Sequence, residues 1–158
     1  MGREASFMRR KVLPLAAVIC LWAGQAIAVD GLTTLPSSRG PKETMNKFEA
    51  EVKAKGMTVF ARIDHAAGAS DVGLSLRPTE LLVFGNAKAG TPLMQSVQTI
   101  GIDLPLKALV WQDASGHTWL SYNDPTWLAK RHGLGVEPTI GAMAAALDAI
   151  ARTATTPP

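Results

Sequence analysis

The sequence predicts an α+β fold: one compact domain with a mixed or antiparallel sheet of four to five strands, packed by three to four helices. Three observations predict it. Strand-like and helix-like stretches alternate irregularly, which disfavours a doubly wound parallel sheet. Asp113-Ala114-Ser115-Gly116 is hairpin turn chemistry between two apolar-rich runs, Leu106 to Trp111 and Thr118 to Tyr122. Ile140, Met143, Leu147 and Ile150 recur at helical spacing, so the chain closes with an amphipathic helix that should lie on the sheet.

The domain is expected to begin after a leader. Arg9, Arg10 and Lys11 form a basic start, Val12 to Trp22 an apolar run, and Ala26-Ile27-Ala28 a small-residue cleavage site, the pattern of a secretory signal peptide over residues 1–28. The twin arginines lead into an ordinary apolar transition, which favours Sec over Tat export. Ile19 is too large to precede a lipoprotein cysteine, so Cys20 leaves with the leader. The apolar run is short for a bilayer, and no later stretch approaches the ~20 apolar residues of a membrane helix. A periplasmic or secreted protein is expected, with a single domain over residues 29–152 and a disordered tail over 153–158.

Charge and cysteine content then exclude several function classes. Of 16 basic and 13 acidic residues in the 158-residue chain, Arg3, Arg9, Arg10, Lys11 and Glu4 lie in the leader, so the mature chain is balanced. No electrostatic reason remains to expect nucleic acid or an anionic membrane as partner. Loss of the single cysteine removes disulfides, thiolate metal sites and cysteine nucleophiles.

Along the mature chain, Val29 to Leu35 reads as a first strand, bounded by Gly31 and Pro36. Met45, Phe48 and Val52 mark one face of a helix ending at Gly56, with Glu49–Lys53 and Glu51–Lys55 as solvent-face pairs. Thr58 to His65 alternates as a strand, with Val59, Ala61, Ile63 and His65 on the core side, and Ala66 to Val72 allows a helical turn or two. Leu81 to Phe84 is a continuous apolar run, expected to be covered on both faces. Gly85, Asn86 and Gly90 tolerate positive φ in the turn that follows. Thr91-Pro92 then reads as the cap and first residue of a helix to Ile100, stopped by Gly101. Asp124-Pro125 repeats that start for a short helix to His132.

The run from Thr44 through Gly133 resembles the domain of unknown function 302 family. The resemblance is carried by the 48–56 helix end, Val59-Phe60-Ala61-Arg62-Ile63-Asp64-His65, Leu76-Arg77-Pro78-Thr79-Glu80-Leu81-Leu82 and Phe84-Gly85-Asn86. Lys88-Ala89-Gly90-Thr91-Pro92-Leu93-Met94, Leu106-Lys107 through Trp111, and Trp119-Leu120-Ser121-Tyr122-Asn123-Asp124-Pro125 complete it. It implies a compact single α+β domain, often secreted in bacteria, without an activity to carry over. Ala87 stands where the family pattern often has proline.

The candidate chemistry is correspondingly modest. The turn from Gly85 to Thr91 lacks P-loop spacing, because Lys88 precedes Gly90 and no Lys-Thr or Lys-Ser pair follows. A weaker anion site is expected, with Lys88 and the amides of Leu93 and Met94 receiving a carboxylate, sulfate or phosphate. The plain alternative is a capped turn with a solvated lysine. Asp64, His65 and Asn86 form the acid–base alternative, though no nucleophile motif accompanies them. His65, His117 and His132 are scattered, so no metal is expected. No cofactor is expected either. Trp111, Trp119, Tyr122 and Trp127 cluster late in the chain, as core or as an aromatic wall. The favoured reading is a non-catalytic domain that binds a small anionic ligand or a protein surface, near Asp64, His65, Asn86, Lys88, Thr91, Tyr122 and Asn123. A homodimer built on the aromatic hairpin is the remaining alternative.

Overall fold

The computed structural model describes residues 29–135 and 137–157; the leader expected over residues 1–28 lies outside them. In chain order the elements are β1 (Leu32–Ser37), α1 (Pro41–Ala54), β2 (Thr58–Asp64), α2 (His65–Asp71), β3 (Thr79–Gly85) and α3 (Ala87–Ser96). A 3-10 turn (Gln98–Ile102), β4 (Leu106–Gln112), β5 (Thr118–Asn123), α4 (Pro125–Arg131) and α5 (Pro138–Thr155) follow. The five strands form one sheet in the order β1-β5-β4-β3-β2, with every neighbouring pair antiparallel. The α+β class therefore holds, and the sheet is antiparallel throughout.

Strand alternation sends Leu82 and Phe84, Leu106, Ala108 and Val110, and Leu120 and Tyr122 to one face, where all are buried. Helix α1 meets them with Met45, Phe48 and Val52, and α5 with Leu147, Ile150, Ala151 and Ala154. Phe48 and Phe84 touch edge to face at 5.4 Å and 74°. Burying each large side chain of this core is worth about 1.5–3 kcal/mol, so the helix layer is fixed by one stripe of the sheet.

The opposite face corrects one expectation. Leu81 and Val83 are half-buried rather than covered, as are Leu109, Trp111 and Trp119 beside them. The apolar run of β3 is therefore shielded laterally by neighbouring strands on that side, and only its other side meets the long helices. A register shift between Val59 and Ala61 corrects a second. The shift puts Val59 on the helix side and leaves Ala61 and Ile63 on the open side, so the expected single apolar parity of β2 does not exist. Arg62 consequently faces α1, where its guanidinium donates to Glu49 at 2.9 Å and Asn46 at 2.8 Å and also pairs with Glu80. The bond to Glu80 holds the Arg62 pKa above its ordinary value.

Two element boundaries also move. Helix α3 starts at Ala87, capped by Asn86 Oδ1, which accepts from the Lys88 amide at 2.9 Å. Thr91 is thus inside the helix rather than its cap, and Pro92 sits in the helix interior. Gly85, Asn86 and Gly90 all keep negative φ. The expected disordered tail is in part helix: α5 runs to Thr155, with Ala154 and Thr155 buried. The reason is capping by residues that follow β1. The Ser38 amide and hydroxyl both donate to the Thr155 carbonyl at 2.9 Å, and the mostly buried Arg39 donates to the Ala154 carbonyl at 3.2 Å and to that of Thr156. Carbonyls that would be orphaned at the helix end are thereby satisfied.

Gly31 is the backbone position with least freedom. Its φ is +75°, and a Cβ there would lie 2.2 Å from the Trp127 ring, which is held over it by an indole bond to Asp30 at 3.0 Å. Gly31→Ala should lower stability by about 2–3 kcal/mol, combining left-handed strain with displacement of the ring. Gly141→Ala, on the exposed side of α5 with nothing within 4 Å, should raise it by up to about 1 kcal/mol. Urea unfolding midpoints of the two variants check both signs.

Candidate functional site

A second, smaller core lies beside the first. Leu93 of α3, Ile100 of the 3-10 turn, Ala129 of α4 and Ile140 of α5 are buried together, and Leu104 and Met143 pack against both cores. The two cores do not close completely. Between them, at the end of the sheet where Phe84 pairs with Leu106, a cavity of about 450 Å³ opens to solvent.

Each wall follows from a local sequence feature. The floor is Phe84, Gly85, Pro105 and Leu106 from the paired strand ends. Ala87, Ala89, Gly90, Thr91 and Met94 bring one small-residue face of α3 to the cavity, and small side chains are what leave room there. Thr139, Ala142, Met143, Ala146 and Leu147, at spacings of three and four, form the roof from one stripe of α5. Lys55, Met57 and Phe60 complete the rim, Phe60 being the residue extruded by the register shift in β2.

The polar equipment is sparse. Asn86 spends its carbonyl oxygen on the α3 cap, leaving its side-chain NH₂ for the cavity. Thr91 and Thr139 add hydroxyls, and among the described residues Lys55 is the one ionisable group in the lining. Glu51, expected to pair with Lys55, pairs with Lys47 at 2.7 Å instead, and among the described residues Lys55 has no ion-pair partner. No buried side-chain nitrogen or oxygen among the described residues lacks a hydrogen bond.

Of the residues singled out in the sequence, Asn86 and Thr91 meet at this cavity. Lys88 is exposed in the first turn of α3 and does not line it. The expected anion cradle is not formed, because the amides of Leu93 and Met94 lie inside α3 rather than at its open end. Asp64 caps α2, accepting from the Ala67 amide at 2.9 Å, and His65 opens that helix instead of ending a strand. Thr58 pairs with Gly85 and Asp64 with Glu80, so Asp64 and His65 stand a strand's length, about 20 Å, from Asn86. That separation does not assemble the acid–base alternative. Tyr122 is buried under α5, its hydroxyl 3.5 Å from Asp148, and burial pushes its pKa up, with the Asp148 charge adding to it. Asn123 is exposed opposite Leu32.

The tryptophans lie elsewhere. Trp111 and Trp119 pair across the hairpin and stack at 6.1 Å and 23° on the open face of the sheet. The Trp119 indole donates to Asp113 at 2.8 Å and, ahead of the amides of His117 and Ser115, holds that carboxyl below its usual range.

Sequence reasoning missed two features. Lys55, Met57, Met94 and Met143 come from three parts of the chain, and only the tertiary fold makes them neighbours. His132 links Asp103 at 2.7 Å with Thr99 at 3.3 Å. Arg131 reaches the same carboxylate at 3.3 Å, and none of the four lines the cavity. Their bonds tie the 3-10 turn and the loop after it to α4.

Comparison with known proteins agrees with the architecture. A crystal structure of an uncharacterized conserved protein DUF302 from Bacillus stearothermophilus superposes with a TM-score of 0.70 at 21% identity, covering 80% of this chain and 99% of that one. Two proteins called fluoride-specific ion channel FluC 1, from Brucella suis and Brucella abortus, are each 44% identical over 139 residues, 88% of this chain. Those residues are 51% and 48% of the two proteins, so the chain spans about half the length of the curated relatives it matches. The family model described as "Domain of unknown function DUF302" matches residues 33–152, and this chain belongs to that family.

Proposed function

We propose that this chain is an exported, non-catalytic domain that binds a small apolar molecule in the cavity between β3, β4, α3 and α5. The cavity carries the reading. Its ~450 Å³ falls in the range of small-molecule sites, and its surface is apolar with a few polar groups at the edge. Met57, Met94 and Met143 give it a lining that adapts to more than one ligand shape. One amine, one amide and two hydroxyls offer no pair of groups to move a proton in opposite directions, which supports binding over turnover. Export rests on the residue pattern of the leader.

Channel activity is named for relatives about twice this length. Among the described residues here no helix is long and apolar enough to cross a membrane. The reading is ligand capture, and a longer channel protein is one setting in which such a domain would work.

A second reading concerns self-association through the open sheet face. Leu32, Ile63, Leu81, Val83, Leu109 and the tryptophan pair share it. Among the described strand residues that face it, the ionisable one is Lys107, which already donates to the Asp103 and Pro105 carbonyls at 3.0 Å, and at the hairpin tip the Asp113 carboxylate is engaged by the Trp119 indole at 2.8 Å. A surface with so little free charge favours a like surface over a charged partner. Five strands of this length present roughly 500 Å², so a face-to-face pair would bury about the ~1,000 Å² a specific contact needs. Sedimentation should show a monomer–dimer equilibrium that Leu109→Glu abolishes; a monomer at every concentration ends this reading.

For the cavity, protein recovered outside the cytoplasm, with Val29 as its first residue, should bind decanol about tenfold more tightly than octanol, since two buried methylenes add about 0.8 kcal/mol each. Ala146→Phe, which fills the cavity from α5, should abolish binding and leave the unfolding free energy from urea titration within about 1.5 kcal/mol of the parent. Absence of binding by the parent, or undiminished binding by the filled variant, would refute it.

A further inference from the structure

We propose that the cavity takes an apolar acid, with its chain between α3 and α5 and its carboxylate at the rim against Lys55. The proposal deepens the reading above, on which it rests, by naming the ligand class.

Lys55 carries the inference. It follows the last turn of α1, is exposed, and lines the cavity where the remaining walls are apolar. Of the lysines within that helix, Lys47 pairs with Glu51 at 2.7 Å and Lys53 with Glu49 at 2.6 Å, while Lys42, in the first turn, does not line the cavity. Lys55 has no such partner among the described residues, and no carboxylate lines the cavity to receive it. A flexible ammonium beside an apolar recess suits an amphiphile whose charged end stays at the water boundary, because the apolar chain is desolvated and the ion pair need not be. The Asn86 side-chain NH₂, which the helix cap does not use, and the Thr139 hydroxyl are further donors in the same lining. The first turns of α3 and α5 add positive ends of helix dipoles on that side, which reinforce the sign of the field. A cationic amphiphile would meet only like charge there.

The charge the sequence suggested at Lys88 is therefore supplied by a residue more than thirty positions earlier. Lys88 stands in the first turn of α3 and lies outside the lining.

The test compares decanoate with decanol, which share a chain and differ in the head, by calorimetry below the aggregation limit at neutral pH. The parent should prefer decanoate by at least about fivefold, the effect of a partly exposed ionic hydrogen bond. Lys55→Met, which keeps the aliphatic stem, should bring the ratio of the two affinities to about one, and Lys55→Glu should invert it. Lys88→Ala should leave the ratio as in the parent. Urea midpoints confirm that each variant is folded. Equal affinities for acid and alcohol in the parent, or a ratio unmoved in Lys55→Met, would overturn the assignment while leaving an apolar cavity site intact. Failure of both ligands to bind would overturn the cavity reading itself, and this assignment with it.

Discussion

The way α5 is held decides the rest of this structure. Its C-terminal half lies on the sheet through Leu147, Ile150, Ala151 and Ala154, and its last carbonyls are received by Ser38 and Arg39. The N-terminal half reaches beyond that anchor to a different core, where Ile140 packs with Leu93, Ile100 and Ala129. A helix fixed at both ends by separate clusters bridges the gap between them. The cavity is that gap, and its roof is the stretch of α5 between the two attachments.

The sheet divides the molecule chemically. On the helix side, aromatic and aliphatic packing is supplemented at the β2 edge by Arg62, which gathers Glu49, Asn46 and Glu80 and joins α1 to two strands. On the open side, side chains shield one another across strands, and the Trp111–Trp119 stack is fastened by indole bonds to Ser121 and Asp113. Asp113, held below its ordinary pKa in the fold, contributes stability that is present above the ordinary carboxylate range and disappears as pH falls through its lowered value. The hairpin tip is thus an acid-sensitive part of the open face.

Periodicity made much of the architecture legible. The apolar-rich runs Leu106 to Trp111 and Thr118 to Tyr122 on either side of the Asp113–Gly116 turn, and the helical spacing of Met45, Phe48 and Val52, correspond to β4, β5 and α1. What local pattern could not reveal depended on a single inserted residue or on contacts distant in sequence. Phe60 shifts the register of β2 and so exchanges the faces of Ala61, Ile63 and Arg62. Thr91-Pro92 reads as the helix start and Asn86 only as a turn residue, yet the helix begins at Ala87, because the Asn86 oxygen accepts from the Lys88 amide. The extension of α5 to Thr155 depends on Ser38 and Arg39, more than a hundred residues away. The central turn was visible as a place of interest through Asn86 and Thr91, yet the residues that give the site its apolar lining and its charge, Met57, Met143 and Lys55, become neighbours only through the tertiary fold.

The central claim is that ligand enters between the two cores under α5, and not on the aromatic face of the sheet. The methionines permit a direct measurement, because Met57, Met94 and Met143 line the cavity while Trp111 and Trp119 lie on the other side of the sheet. In a protein labelled with ¹³C at the methionine methyls and ¹⁵N at the tryptophan indoles, titration with decanol should shift the signals of Met57, Met94 and Met143 together and leave the Trp111 and Trp119 indoles in place. Shifts at the two indoles with the three methyl signals unmoved would contradict the account and place binding on the open face.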